Sequence, residues 1–252
     1  MKPIVALLYR EFLIRTSGIW LFFDLVLPLL YMLTFGIAFD KAVGMGMQTA
    51  GTTVGYNAFF VAAVLSMSCF GSAINQSYGF FVDRDNGIFY EFLTYPMTRG
   101  QFLVGKIVFL ALLSVVQCLL ALAAAVAILG LNIQLEWLAV TIIAVIIGTA
   151  GWFFFLAIFA FLIRRNDLFN TILNVGYFVL IFLSSMFYPL DNVPDWFRSV
   201  SLLNPLTWHT DVLRYLTIGI GDASTIMLES LWFVIFLLLS FWAAVTALQR
   251  AV

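Results

Sequence analysis

Charge is what this chain lacks most, and the shortage excludes more than any motif does. Only 10% of its 252 residues are Asp, Glu, Lys or Arg, against 63% hydrophobic. Soluble domains carry about 25% charged and about 45–50% apolar residues. A water-soluble fold has no interior large enough for that much apolar surface, so the composition indicates an integral membrane protein. Cysteine is also scarce: Cys69 and Cys118 fall in apolar runs without C-x-x-C spacing. They read as buried structural thiols and define no redox compartment. Histidine occurs once, at His209, whereas a zinc site needs several nitrogen or sulfur ligands. It reads as a hydrogen-bonding residue. The phosphate loop G-x-x-x-x-G-K-[ST] is missing, which excludes ATP hydrolysis by that route, and neither H-E-x-x-H nor G-x-S-x-G occurs. Ser72 and Ser114 are the hydroxyls open to an intramembrane protease reading, with His209 as the one base, distant from both in the sequence map. The net charge of −1 singles out no partner, and no nucleic acid is expected.

What the chain has in abundance is long apolar runs. Six can cross a hydrocarbon core, which takes about 20 helical residues: Ile19–Phe39, Tyr56–Tyr78, Phe102–Leu129, Trp137–Ile163, Leu168–Phe187 and Thr225–Leu248. The expected fold is therefore all-α, a polytopic membrane protein formed as one transmembrane domain over 1–252. Ahead of the first run, Pro3–Thr16 reads as a weakly amphipathic helix. Val5, Leu8 and Phe12 share one face, with Lys2, Arg10 and Glu11 turned away. Such a segment (1–17) lies along the membrane interface or forms a plain soluble extension. Arg10, Glu11 and Arg15 break this stretch, and no small-x-small cleavage site follows the run from Ile19, so a signal peptide is not expected.

Loop charges orient the bundle. With both termini on one side, Lys2, Arg10, Arg15, Arg84, Arg99, Lys106, Arg164, Arg165 and Arg250 gather there, nine of the twelve cations. The positive-inside rule makes that side cytoplasmic. It includes Asp83–Lys106, the longest polar interruption, which nevertheless carries Ile88, Phe89, Tyr90, Phe92, Leu93 and Tyr95. That is more apolar surface than a solvated connector needs, and it reads as a docking element, with 83–100 as its core. Thr98 and Gln101 have capping-box spacing, so the third long helix starts near Arg99. From there to Leu129 it extends on the order of 45 Å against a core of about 30 Å, so its first turns are expected to stand out in the cytosol.

On the other side, Asp40–Gly55 is Gly-rich and expected to be mobile, and Gly130–Glu136 is a short turn. The segment 188–224 is long and half apolar. Pro194 followed by Asp195 suits a helix start, and Asn204-Pro205 is an N-cap and first-turn pair. Leu206, Leu213 and Leu216 then share one face, and Asp211 pairs with Arg214 at i, i+3. Two short outer, re-entrant helices are expected. Within the first run Asp24 is the sole ionisable residue, with Pro28 one turn later. An intramembrane carboxylate marks function by default; the alternative is that Asp24 lies near the headgroups and reaches water or Arg15. No second mid-span charge completes a relay, which argues against a channel or secondary carrier.

In order and spacing these pieces resemble the ABC-2 type permeases, membrane subunits of bacterial ABC exporters, in the style of the daunorubicin-resistance and nodulation-factor exporters. The resemblance runs over nearly the whole chain. It rests on Tyr9-Arg10-Glu11-Phe12; Pro28-Leu29-Leu30-Tyr31 with Phe35-Gly36; Asp83-Arg84 and Gly87 to Leu93; Pro96, Arg99, Gly105 and Lys106; and the outer Pro194, Trp196, Asn204-Pro205-Leu206, Asp211 and Leu213-Arg214. The bulky Ile88-Phe89-Tyr90 departs from the smaller residues usual before the Glu. The resemblance implies a transport subunit without catalysis of its own, in a bacterial inner membrane. It would pair with a second copy or a sibling permease, with two separate ATPase subunits carrying ATP and Mg²⁺. Gly87, Phe89, Tyr90, Glu91, Phe92, Leu93, Pro96 and Arg99 would form the cytoplasmic coupling helix against the ATPase. Pro194, Trp196, Asn204, Pro205, Leu206, Asp211 and Arg214 would form the outer gate, and Asp24, Pro28 and Tyr31 would line the path of an amphipathic drug-like, lipid or glycan cargo.

Overall fold

The computed structural model describes residues 3–16, 20–43, 46–49, 51–88, 91, 94 and 99–250. Nine helices among these are α1 (Pro3–Thr16), α2 (Trp20–Val43), α3 (Tyr56–Asp85), α4 (Arg99–Ala127), α5 (Leu138–Leu162), α6 (Asn166–Phe182), α7 (Asp195–Leu202), α8 (Pro205–Ile218) and α9 (Ala223–Arg250). Five of them, α2, α3, α4, α5 and α9, are long and apolar enough to cross a membrane. The chain is thus a polytopic, almost wholly helical membrane protein. α3 is its central post, packed by α2, α4, α5 and α8. Ala62, Ala63, Ser66, Ser68, Ser72 and Ala73 are all buried along it, small side chains that let neighbouring helices approach closely where lipid supplies no hydrophobic drive.

The all-α expectation holds, with one small sheet added. Between α2 and α3, Met47–Thr49 (β1) and Thr52–Val54 (β2) pair as an antiparallel hairpin. Its apolar-poor, Thr-rich strands lie at the end of the bundle away from α1, where extended backbone can meet water. The fifth expected span, Leu168–Phe187, also differs. Its helix α6 ends at Phe182 after 17 residues, about 25 Å. The reason lies in the α7–α8 linker: the Asn204 side-chain amide donates to the carbonyls of Leu180 at 2.7 Å and Leu183 at 2.9 Å. The Tyr188 hydroxyl donates to Phe182 as well. These donors satisfy last-turn carbonyls that a continuing helix would use. Asn204 also caps α8, accepting from the Leu206 amide at 3.0 Å, while Leu206, Leu213 and Leu216 are all buried.

The apolar face expected of α1 points out of the protein. Val5 and Phe12 are exposed, Phe12 by 53%, whereas Leu7, Glu11 and Arg15 are buried. At i, i+4 and i+8 these three form one stripe, and it is the polar stripe that faces the protein. Polar side chains tolerate such burial only where they find charged or hydrogen-bonding partners. The start of α4 is accordingly not a free stalk: Phe102, Leu103 and Lys106 are buried, and Leu7 of α1 lies so close to Gly105 that a Cβ there would meet it at 2.5 Å.

At the opposite end His209 of α8 is buried against α5, its Nδ1 2.9 Å from the Ser66 hydroxyl, its ring stacked on Phe233 at 5.1 Å. Gly148 of α5 makes room for it, since a Cβ at that position would lie 2.1 Å from Nε2. The ring thus contacts α3, α5 and α9. Gly148→Ala should therefore destabilise the fold by about 1–3 kcal/mol through overpacking, read as a lowered midpoint in thermal unfolding of the detergent-solubilised chain. An unchanged midpoint would show that the His209 cage is soft.

Candidate functional site

The densest polar chemistry lies where α1, α3 and α4 meet. Lys106 is 1% exposed, and its ammonium donates to Glu11 Oε1 and Asp83 Oδ2, both at 2.8 Å. Arg10 grips the same Asp83 with two nitrogens, at 2.5 and 3.0 Å, and reaches Glu11 at 3.1 Å. Gln76 on α3 passes the network on, donating to Glu11 Oε2 at 2.9 Å and accepting from Arg15 at 3.1 Å. Arg15 also pairs with Asp24 of α2 at 3.1 Å. Asp24 is held further by Asn75 at 2.8 Å, and its backbone carbonyl accepts from Gln117 of α4 at 2.8 Å. Gln117 in turn accepts from the Ser72 hydroxyl at 3.0 Å. The seam thus joins four helices and balances three cations (Arg10, Arg15, Lys106) with three carboxylates (Glu11, Asp24, Asp83).

Charge this deeply placed survives only when paired and hydrogen-bonded. Burial alone would push the Glu11 carboxyl up; Lys106, Gln76 and Arg10 outweigh it and hold the group below its ordinary value. The residue after Asp83 faces the other way. Arg84 donates to the carbonyls of Ala160, Phe161 at 3.0 Å and Ile163 at 2.5 Å, capping the end of α5 with a cation as the helix dipole favours. It also lies 4.7 Å above the Phe81 ring. Consecutive residues at the end of α3 therefore hold α1 and α4 on one side and α5 on the other.

Of the expected coupling residues, Phe89, Tyr90, Phe92, Leu93 and Pro96 lie outside the described residues. Gly87 sits two residues past α3 with φ 76°, a left-handed turn that suits glycine. Glu91 is exposed, with its backbone amide donating to Gly87. Arg99 begins α4. Asp24, Pro28 and Tyr31 come together on the wall of a cavity of about 230 Å³, with Tyr177 and Asn174 of α6 opposite them. At the far end Pro194 precedes α7, and Trp196 is exposed on it. Asp211 and Arg214 pair. Arg214 also donates to the Ser185 carbonyl at 2.8 Å, and Asp211 accepts from the Ser185 hydroxyl at 2.7 Å. Ser72 and Ser114 do not meet His209; Ser66 does, and both members are buried with no carboxylate attached, which is no nucleophile arrangement.

Sequence reasoning missed Glu11, Gln76, Lys106 and Gln117 as members of one site. The available signal was the Leu7, Glu11, Arg15 stripe, which pairs polar groups with an apolar one on a single helical face.

The comparisons agree with this architecture. Residues 3–218 match the model of the ABC-2 type transporter family, and the chain belongs to that family. Among its relatives is ycf38 of Cyanophora paradoxa, a candidate transport permease, 27% identical over 221 residues, 86% of this chain and 74% of the relative. Its namesake in Porphyra purpurea is 23% identical over 218 residues, 86% and 74% of the two chains. That of Pyropia yezoensis is 26% identical over 205 residues, 76% and 65%. The protein is a membrane subunit of the transport-permease class.

Two outcomes test the seam. Lys106→Met leaves Glu11 and Asp83 with a surplus negative charge in a buried place, a loss of about 3 kcal/mol. The Asp83→Asn, Lys106→Met double variant should lose less than the sum of the single changes in detergent unfolding; strictly additive losses would show the two residues uncoupled. The second concerns pH. The folded Glu11 carboxyl lies below its ordinary value of 4.5, so its contribution is full above about pH 4.5 and fades as pH falls through the lower folded value. Melting midpoints should hold between neutral pH and about pH 5 and drop below that, with a shallower acid drop in Glu11→Gln. An equal drop in that variant would remove Glu11 from the cause.

Proposed function

We propose that the chain is the permease subunit of an ATP-driven exporter, paired with a second copy or a sibling and driven by two separate ATPase subunits. Family membership supports the class. The observation that carries the coupling is the root of the 86–98 connector, where Asp83 and Arg84 hold α1, α4 and α5 by short ionic and carbonyl contacts. A push delivered to that connector reaches three helices without slack.

In this reading the α1 end faces the cytoplasm of a bacterial cell, as the nine-to-three split of Lys and Arg favours, and α6 completes a sixth crossing. ATP and Mg²⁺ are bound by the partner. Gly87 to Pro96 docks on it with Phe89, Phe92 and Leu93 as an apolar plug and Glu91 as a charged contact. The cavity of Asp24, Pro28 and Tyr31 opens on the cargo path. Aromatic rings and amide groups on its wall suit an amphipathic drug, lipid or glycan-bearing molecule. α7 and α8 close the path outside, with the Asp211–Arg214 pair as their latch.

The docking assignment is tested in the assembled complex. Phe92→Asp or Leu93→Asp should abolish cargo-stimulated ATP hydrolysis while the permease still inserts and its partner keeps basal activity. A stimulated rate equal to that of the unmodified complex would sink the assignment.

A further inference from the structure

At the end opposite α1 a cavity of about 250 Å³ opens between the hairpin, α7, α8 and the start of α9. Its charged lining is Asp191, Arg198, Asp211, Arg214, Asp222 and Glu229. Most of this charge is committed. Arg214 pairs with Asp211, donates to the Ser185 carbonyl and lies 3.8 Å above the Phe59 ring. Asp222 caps α9, accepting from the Thr225 amide at 3.1 Å and its hydroxyl at 3.2 Å. Asp191 and Arg198 are exposed at the rim.

Glu229 is the exception. It is 6% exposed, and its Oε2 is buried without a hydrogen-bond partner among the described residues. A carboxylate oxygen in that state loses its hydration and receives nothing in return. Arg214, on the same cavity wall, gives its hydrogen bonds to Asp211 and to the Phe59 and Ser185 carbonyls. A hard metal ion fits poorly: Ca²⁺ takes six to eight oxygen ligands, and among the described residues no three His, Cys, Asp or Glu gather as a ligand group. An ammonium needs less, because it brings three N–H donors of its own. One carboxylate oxygen, with water or carbonyls for the rest, satisfies it.

We propose that this cavity binds a primary ammonium group, with Glu229 as its carboxylate acceptor. The group can come from an aminated lipid headgroup or from a soluble amine, and the buried carboxylate with an arginine at the rim also matches the two charges of a phosphoethanolamine. A quaternary ammonium has the charge and no N–H, so it leaves Oε2 unsatisfied. The site needs no ATPase partner and does not depend on the exporter reading.

The test uses thermal unfolding of the full chain with ethylammonium, tetramethylammonium or sodium chloride at matched ionic strength. Ethylammonium alone should raise the midpoint, by about 2–4 °C near saturation, and Glu229→Gln should lose that rise. Equal rises with all three salts, no rise with ethylammonium, or a rise kept in Glu229→Gln would overturn the proposal. Should the variant fail to fold, the salt comparison on the unmodified chain decides by itself. Nanodiscs separate the sources. A higher midpoint in phosphatidylethanolamine than in phosphatidylcholine, with no further gain from ethylammonium, identifies the lipid headgroup. Equal midpoints in the two lipids, with ethylammonium acting in both, identify a soluble amine.

Discussion

A buried ammonium ion cannot be left alone, and the rest of the α1 end follows from that requirement. Lys106 has almost no solvent contact, so the helices around it have to supply anionic oxygen. Glu11 comes from α1 and Asp83 from α3, each at 2.8 Å. Two carboxylates on one cation would leave surplus negative charge, and Arg10 cancels it at the same point. Once these four residues are in register, α1 has little rotational freedom. Its Leu7 then falls over Gly105, and its apolar side faces outward. The orientation of α1 follows from the pairing of buried charge, where a missing partner costs several kcal/mol.

The seam continues because each amide in it has both a donor and an acceptor to place. Gln76 joins Glu11 to Arg15, and Gln117 joins Ser72 to the backbone of α2. These bonds lead from α1 to the cavity wall that carries Asp24. Asp83 and Arg84, about 100° apart on a helix of 3.6 residues per turn, necessarily meet different neighbours. That geometry lets the last turn of α3 hold the bundle from two sides with adjacent residues.

The long helices were legible because apolar length is a sufficient signal in a bilayer. So was a local cap: Asn204-Pro205 reads as a helix start from neighbouring residues alone. The partners of α1 were not legible: Glu11 and Arg15 turn to distant helices, which no local pattern discloses. Lys106 read as one more loop cation for the same reason, since Asp83 and Glu11 are 23 and 95 residues away in sequence. The end of α6 was hidden too. Beyond it only Ser184 and Ser185 interrupt the apolar run to Phe187, and the helix stops where it does because Asn204, from a later segment, takes its carbonyls. The β1–β2 hairpin is short and Thr-rich within a glycine-rich stretch, where flexibility and strand pairing share one composition.

The two ends of the bundle solve the problem of buried charge differently. At the α1 end three cations meet three carboxylates, and the main acceptors are shared between helices. Such a cluster holds structure together and has little left to offer a ligand. At the other end Arg214 already has an acidic partner and backbone acceptors, so Glu229 is left over on the cavity wall. Evenly matched charge serves as a joint, whereas an unmatched carboxylate beside open volume calls for a cation from outside the chain. The physical rule that ties α1 into place is therefore the same one that marks the far cavity as a site.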